Sequence, residues 1–295
     1  RQMCIRDRID TDGLTDKPTN IACLVEIHER FCQLLPDELL WVDKPSSSDR
    51  LPVIPGKFRA HDVAVGRHVP ISAGAIPRFL RRFEDVFSSL GRAESIIAAA
   101  AAHHRLLWIH PFLDGNGRVV RLMSHAMLLQ NLESGSLWSV SRGLARQQTT
   151  YKGHLNNCDL PRRNALDGRG SLSEEALVAF TTFFLETCLD QVTFMEGLLQ
   201  PEKLRARIRL WAEEEQQLGT LPAKAILVLD ALLYRGELSR GEIAGLLGST
   251  DRHARRIVQT LSRQGVITAE STRAPLRLAF PAALASRWMP GLFPE

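Results

Sequence analysis

The 295-residue chain is short of several residue types, and each shortage narrows its class. Tyrosine occurs twice and aromatic residues make up 6% of the chain. The five cysteines (Cys4, Cys23, Cys32, Cys158 and Cys188) are odd in number and scattered. They form neither a disulfide framework nor a metal-ligand spacing, which fits a reducing cytoplasm. The sequence reads without an apolar run of membrane-spanning length and without a secretory signal pattern, so no membrane partner is expected. Internal repeats and low-complexity tracts are missing too, which argues against solenoids and disordered arrays. Pro45-Ser46-Ser47-Ser48-Asp49 reads as a surface loop. What remains is a 44% hydrophobic chain of net charge +4, long enough to bury one large core and a smaller one.

The most informative stretch is His110-Pro111-Phe112-Leu113-Asp114-Gly115-Asn116-Gly117-Arg118-Val119-Val120-Arg121. Upstream, Glu94–Trp108 is Ala-rich and then apolar, as in a helix packed on several sides. Pro111 and Gly115 stop that helix and force a loop. The apolar helical pattern resumes at Val119, Val120, Leu122, Met123, Ala126 and Met127, so residues 115–118 fall at a helix N-terminus. Free N–H groups and the helix dipole make such a place an anion site. Gly115 and Gly117 let the backbone approach the anion closely.

Each side chain then has a task. His110 titrates nearest neutrality and is the candidate general base. Asp114 is a hard oxygen ligand suited to Mg²⁺ bridging phosphates. Arg118 and Arg121, three residues apart, share a helix face and can fork onto phosphate oxygens. Phe112 is read as the anchor that holds the loop in the core.

In order and spacing these residues resemble the Fic family signature, His-Pro-Phe-x-(Asp/Glu)-Gly-Asn-Gly-Arg-x-x-Arg, at every defined position. The resemblance implies a protein adenylyltransferase moving AMP from ATP onto a Ser, Thr or Tyr hydroxyl of a target protein. In that reading His110 takes the hydroxyl proton and Asp114 holds Mg²⁺. Asn116 and the backbone of Gly115 and Gly117 bind the α-phosphate, and Arg118 and Arg121 hold the outer phosphates. Gly117 stands where the related Doc toxins carry Lys and phosphorylate instead, which favours adenylylation. Other members use other nucleotide donors, and that alternative stays open.

Two further segments extend the resemblance. Phe58, Arg59, Val63, Val65, Gly66 and His68 lie in short β-prone runs with glycines, as in a hairpin. In the family a hairpin at this place is a flap that clamps the target by main-chain pairing. Tyr151, on an expected helix, matches a family tyrosine near the adenine. The family's restraining helix, Ser/Thr-x-x-x-Glu-Gly/Asn, finds no counterpart. Glu196-Gly197 comes closest, with Val192 four residues before Glu196. A restraining element upstream of Arg1, an inhibitory partner and no restraint at all remain open.

Residues 173–215 read as one long helix ending at Glu213-Glu214-Glu215-Gln216-Gln217. Beyond it, three helical patterns (Ala223–Tyr234, a segment capped by Ser239, and Asp251–Gln264) and two β-prone runs around a polar tip suggest a winged helix-turn-helix. From Leu218 onward there are ten Lys and Arg against six Asp and Glu, so this region carries the whole excess of positive charge. Arg252, Arg255, Arg256 and Arg263 fall on the third helix, where they would face phosphate.

The expected architecture is mainly α. A helical N-terminal segment (1–50) precedes a Fic-type helical core with a β-hairpin flap (51–216) and a winged-helix domain (217–295). The favoured function is Mg²⁺-assisted AMP transfer from ATP. The alternative is a DNA-binding regulator whose core senses nucleotide or modifies only itself; a homodimer is also compatible with the sequence.

Overall fold

The computed structural model describes residues 16–43, 50–132 and 138–292; the expected loop at 45–49 and Cys4 lie outside them. The chain divides into two compact units, residues 1–193 and 194–295.

In the first unit, α1 (Ile21–Gln33) buries Cys23, Leu24, Ile27, His28, Phe31 and Cys32, a stripe at helical spacing. A short antiparallel pair follows, β1 (Trp41–Asp43) against β2 (Arg50–Pro52), with Val42 opposite Leu51. The sequence reading contains no such pair, because three-residue strands are too short to display alternation. Helix α2 (Ile76–Phe87) starts with a proline in its first turn and buries Ile76, Leu80 and Phe83. Helices α3 (Arg92–Ile109) and α4 (Asn116–Asn131) make the most extensive helix pair of the molecule. Small side chains permit the approach: Ala99, Ala100 and Ala102 are wholly buried, as are Val119, Val120 and Met123.

Helices α5 (Val140–Arg146) and α6 (Gln148–Cys158) and the part of α7 (Glu174–Leu198) up to Thr193 complete this unit. A Cβ at Gly143 would stand 2.9 Å from Gln191 Cγ and run into Thr187, so glycine is what lets α5 lie on α7. The N-terminus of α7 is capped twice: Glu175 N–H donates to Asp167 Oδ1 at 2.8 Å, and Ala176 N–H to Ser173 Oγ at 3.1 Å. The expected single helix over 173–215 is two helices. α7 ends at Leu198, and α8 (Pro201–Gln217) begins with Pro201, which has no N–H to continue a ladder.

Helix α7 is also strongly apolar for its length. With a mean hydropathy of 1.2 over an 18-residue window, it is long and apolar enough, by length and composition, to cross a membrane. In the fold, Phe180, Phe184, Thr187 and Gln191 of this helix are buried.

The second unit takes in α8 as well as residues 217–295. Its order is α9 (Ala225–Arg235), β3 (Glu237–Leu238), α10 (Ile243–Leu247), α11 (Asp251–Arg263), β4 (Ile267–Thr268), β5 (Leu276–Leu278) and α12 (Ala285–Trp288). The antiparallel sheet runs β3-β5-β4, with Leu238 opposite Leu276 and Ile267 opposite Leu278. Ser239 and Glu242 form a capping box ahead of α10, and Thr250 Oγ1 accepts from His253 N–H at the start of α11. The core gathers Val228, Leu229, Leu232, Ile243, Ile257, Leu261 and Leu276, each at most 1% exposed. Trp211 and Trp288 meet edge to face there, 5.2 Å apart.

Candidate active site

The site is built where α3 ends and α4 begins. His110 caps α3 in the left-handed conformation, φ 52° and ψ 60°, and is the only non-glycine with positive φ among the described residues. Such strain persists where the surroundings over-determine it. Here Arg59 does so: its Nε donates to the His110 carbonyl at 2.8 Å, and its Nη atoms donate to the carbonyls of His61 and Ile71. Arg59 is itself 4% exposed. Its main chain joins in, Arg59 N–H donating to the Pro111 carbonyl at 2.9 Å.

The imidazole of His110 has one nitrogen assigned. Nδ1 lies 3.3 Å from the Leu107 carbonyl, which can only accept, so Nδ1 carries the proton and Nε2 keeps its lone pair. Burial above all, with Arg59 adding to it, lowers the pKa of His110 to about 4 against the Leu107 bond. The ring is therefore a neutral base at physiological pH.

Asn116 closes the loop on itself. Its Oδ1 accepts from Phe112 N–H at 2.9 Å and its Nδ2 donates to the Phe112 carbonyl at 2.8 Å. The residue is 3% exposed. The side chain expected to reach a phosphate is thus a staple, and what it offers an anion is its backbone N–H in the first turn of α4. Gly115, at φ 84°, makes the turn that a residue with a Cβ would resist.

Helix α1 braces the same loop from outside, which the sequence reading did not find. Gly56 N–H donates to His28 Nδ1 at 3.0 Å, so Nε2 carries the proton and donates to the Asp114 carbonyl at 3.1 Å. The ring stacks on Phe112, which is wholly buried as expected. A histidine in the buried stripe of an amphipathic helix was the available signal, and nothing in it names the loop as partner.

Asp114 points outward, half exposed, with Oδ2 3.6 Å from Arg118 Nη1. Arg118 lies over the Phe31 ring at 4.7 Å. Arg121 is largely desolvated, which lowers its pKa, and its guanidinium lies within hydrogen-bonding reach of the Tyr151 hydroxyl. Gly117 belongs to the same corner: a Cβ there would stand 3.3 Å from Arg121 Nη1. Tyr151 is 8% exposed. It meets the motif loop through Arg121.

The residues expected to form a flap divide into anchors and an edge. Val65 and His68 pair as an antiparallel bridge, N–H to carbonyl in both directions at 2.9 and 3.0 Å. Gly66 supplies the positive φ, 62°, that the first position of a two-residue turn favours. Val65 is exposed and Val63 half-buried. His68 Nε2 donates to the Trp108 carbonyl at 2.8 Å, and Phe58 leans on Phe112 at 5.5 Å. Phe58, Arg59 and His68 therefore fasten this segment to the motif loop, and Val63, Val65 and Gly66 form its outer edge.

Asp114 is the exposed carboxylate of the loop, and among the described residues no group of three or more His, Cys, Asp or Glu side chains is placed to enclose an ion. A lone carboxylate suits Mg²⁺ held chiefly by nucleotide phosphates and water, so the residues fit that ion.

Comparison with known proteins agrees with the motif. The model described as Fic/DOC family matches residues 18–128. A protein adenylyltransferase Fic of Drosophila willistoni is 41% identical over 81 residues, and that of Drosophila erecta is 38% identical over the same length. Those 81 residues are 27% of this chain and 16% of either relative. Among solved structures, a Fic family protein from Desulfovibrio desulfuricans G20 is 18% identical, with a TM-score of 0.48 over 96% of this chain and 74% of its own. A Fic domain containing signaling protein from Bacteroides thetaiotaomicron VPI-5482 is 16% identical, with a TM-score of 0.41 over 66% of this chain and 67% of its own. The likeness to the Fic/DOC family thus spans residues 18–128, the segment that carries the motif loop.

Proposed function

We propose that this chain is a protein adenylyltransferase, transferring AMP from ATP to a hydroxyl of a target protein. The observation that carries the reading is the His110 imidazole: its Nδ1 proton is held by Leu107, which leaves the lone pair on Nε2, in the loop that leads into α4. The target oxygen would bond to the α-phosphorus as its proton passes to Nε2. The bond from that phosphorus to the bridging oxygen would break, and pyrophosphate would leave. The first-turn N–H groups of α4, with Arg118 and Arg121, would hold phosphate oxygens and stabilise the charge that builds on them. Asp114 would hold Mg²⁺, which when bound offsets phosphate charge. The exposed Val65 edge would register the target main chain by β-pairing.

Support comes from the 81-residue similarity to proteins named protein adenylyltransferase Fic. The test is labelling by ATP carrying radiolabel at the α- or the γ-phosphate, with His110→Ala alongside. Label from the α-position only, lost in the variant, is the expected result. Label from the γ-position would replace AMP transfer by phosphorylation. Labelling from neither would point to a restraining element, another nucleotide donor or an absent target.

A second reading adds a nucleic-acid partner for the C-terminal unit. Helix α11 buries Ala254, Ile257, Val258 and Leu261 and exposes Arg252, Arg255, Arg256 and Arg263. The order helix, strand, two helices and a two-stranded wing supports a winged-helix reading, in which the third helix would be set against a DNA duplex. On this reading the unit docks the enzyme on DNA through phosphate contacts.

A further inference from the structure

Behind Arg121 lies a line of three hydrogen bonds, ending at the Tyr151 hydroxyl, in which every hydrogen has one possible place. Ser124 Oγ is 2.9 Å from the Val120 carbonyl, which can only accept, so the serine hydrogen goes there. The Ser124 oxygen then accepts from His103 Nδ1–H, also at 2.9 Å. His103 Nε2 is left with its lone pair, so the Tyr151 hydroxyl, 2.7 Å away, must donate to it. The phenol oxygen can now only accept, and it faces Arg121, whose guanidinium has only donors.

The surroundings hold this arrangement in one state. His103 is wholly buried, with the rings of Phe184 and Phe180 packed on it at 5.5 and 5.9 Å. Burial first, then the nearby Arg121 and His104, keep its pKa well below the ordinary histidine value. A protonated His103 would place a second donor against the phenol hydrogen, so the neutral form and the direction of the line support each other.

We infer that His103 is a positioning residue for the nucleotide: through Tyr151 it fixes the Arg121 guanidinium beside the Gly117 backbone. This rests on the nucleotide-binding reading of the loop. The chemistry gives the relay a reason. Arg118 faces a carboxylate, Asp114. Among the described residues, Arg121 instead has a neutral phenol as its side-chain partner. A phenol orients the guanidinium without cancelling its charge, so the full charge remains for a phosphate oxygen. Because Tyr151 can offer only a lone pair, the guanidinium is held by one edge and turns the other toward the loop.

The test is a double-mutant cycle on Mg²⁺-ATP affinity, measured by calorimetry on the full chain. His103→Leu removes the acceptor and is expected to weaken ATP binding about tenfold. His103→Gln places an amide oxygen where Nε2 was and is expected to restore binding to within about twofold. In an Arg121→Ala background, His103→Leu is expected to add nothing, which a merely structural role would not produce. Tyr151→Phe keeps the buried ring and removes only the hydroxyl; it gives the same answer should His103→Leu not fold, with an expected loss of about tenfold. Wild-type affinity in Tyr151→Phe, or an undiminished His103→Leu effect in the Arg121→Ala chain, would overturn the relay alone. Failure of the wild-type chain to bind ATP would instead remove the nucleotide reading and the relay with it.

Discussion

The His28 ring lies flat on Phe112, with centroids 3.9 Å apart and planes within 2° of parallel. The same imidazole joins Gly56 to Asp114 through its two nitrogens. One side chain of α1 therefore holds the apolar root and the polar backbone of the motif loop at once. His28→Leu fills similar space without either hydrogen bond. It leaves the Asp114 carbonyl and the Gly56 N–H without their partner, at a cost of about 1–3 kcal/mol each where they are buried. A fall in the unfolding midpoint is expected, with a larger fractional loss of kcat/KM than the few per cent unfolded would explain. An unchanged kcat/KM would mean that the loop keeps its shape without α1.

Activity and stability are expected to part company with pH. His28, His103 and His104 are all held below the ordinary histidine value, mainly by burial, and remain neutral in the folded protein. Below about pH 6.5 the unfolded chain takes up protons that the folded chain does not, so stability falls as pH drops from there toward the folded values. His110, with a pKa of about 4, keeps its lone pair over the same range. Melting temperature should therefore decline from about pH 6.5 downward while kcat/KM holds until about pH 5. A kcat/KM that falls with a midpoint between about 6 and 7 would place the base elsewhere or deny His110 its buried setting.

Asn116→Ala separates loop-shaping from phosphate contact. It frees both Phe112 backbone groups, which are buried, and should destabilise by about 2–4 kcal/mol in total. Asn116→Asp keeps the acceptor for Phe112 N–H but opposes the Phe112 carbonyl with a second oxygen, and should be at least as harmful. Should Asn116→Asp melt with the wild type, the staple is not what holds the loop.

Arg255→Ala and Arg256→Ala together test the second unit. On the DNA reading, removing two phosphate contacts should lower the slope of log K against log salt by about two and leave the labelling activity unchanged. A slope identical to wild type, or no DNA retention by the wild-type chain, would point to a protein partner for this unit.

Much of the framework is legible in the sequence because it rests on local signals. Pro111 and Gly115 mark the break between α3 and α4, and Ser239 and Thr250 mark helix starts, since each acts on backbone within a few residues. The supports of the site are not local. Arg59 reads as a surface contact in a β-prone segment, and only the fold reveals it as a buried clamp on His110. Tyr151 reads, by resemblance, as a residue near the adenine, whereas His103, 48 residues earlier, decides where its hydroxyl goes. The break at Pro201 was legible in principle. The apolar pattern running on through 173–215 masked it, because hydrophobic spacing continues across a two-residue interruption.

The motif of residues 110–121 is contiguous, but its shape is imposed from 51 positions away at Arg59 and 86 at His28. Closing loops of that length costs entropy that only the later contacts return, so the motif should take its final form late on the folding path. Direction of synthesis eases the problem. A ribosome delivers α1 and the Arg59 segment first, so the histidine loop is made when its partners are already synthesised.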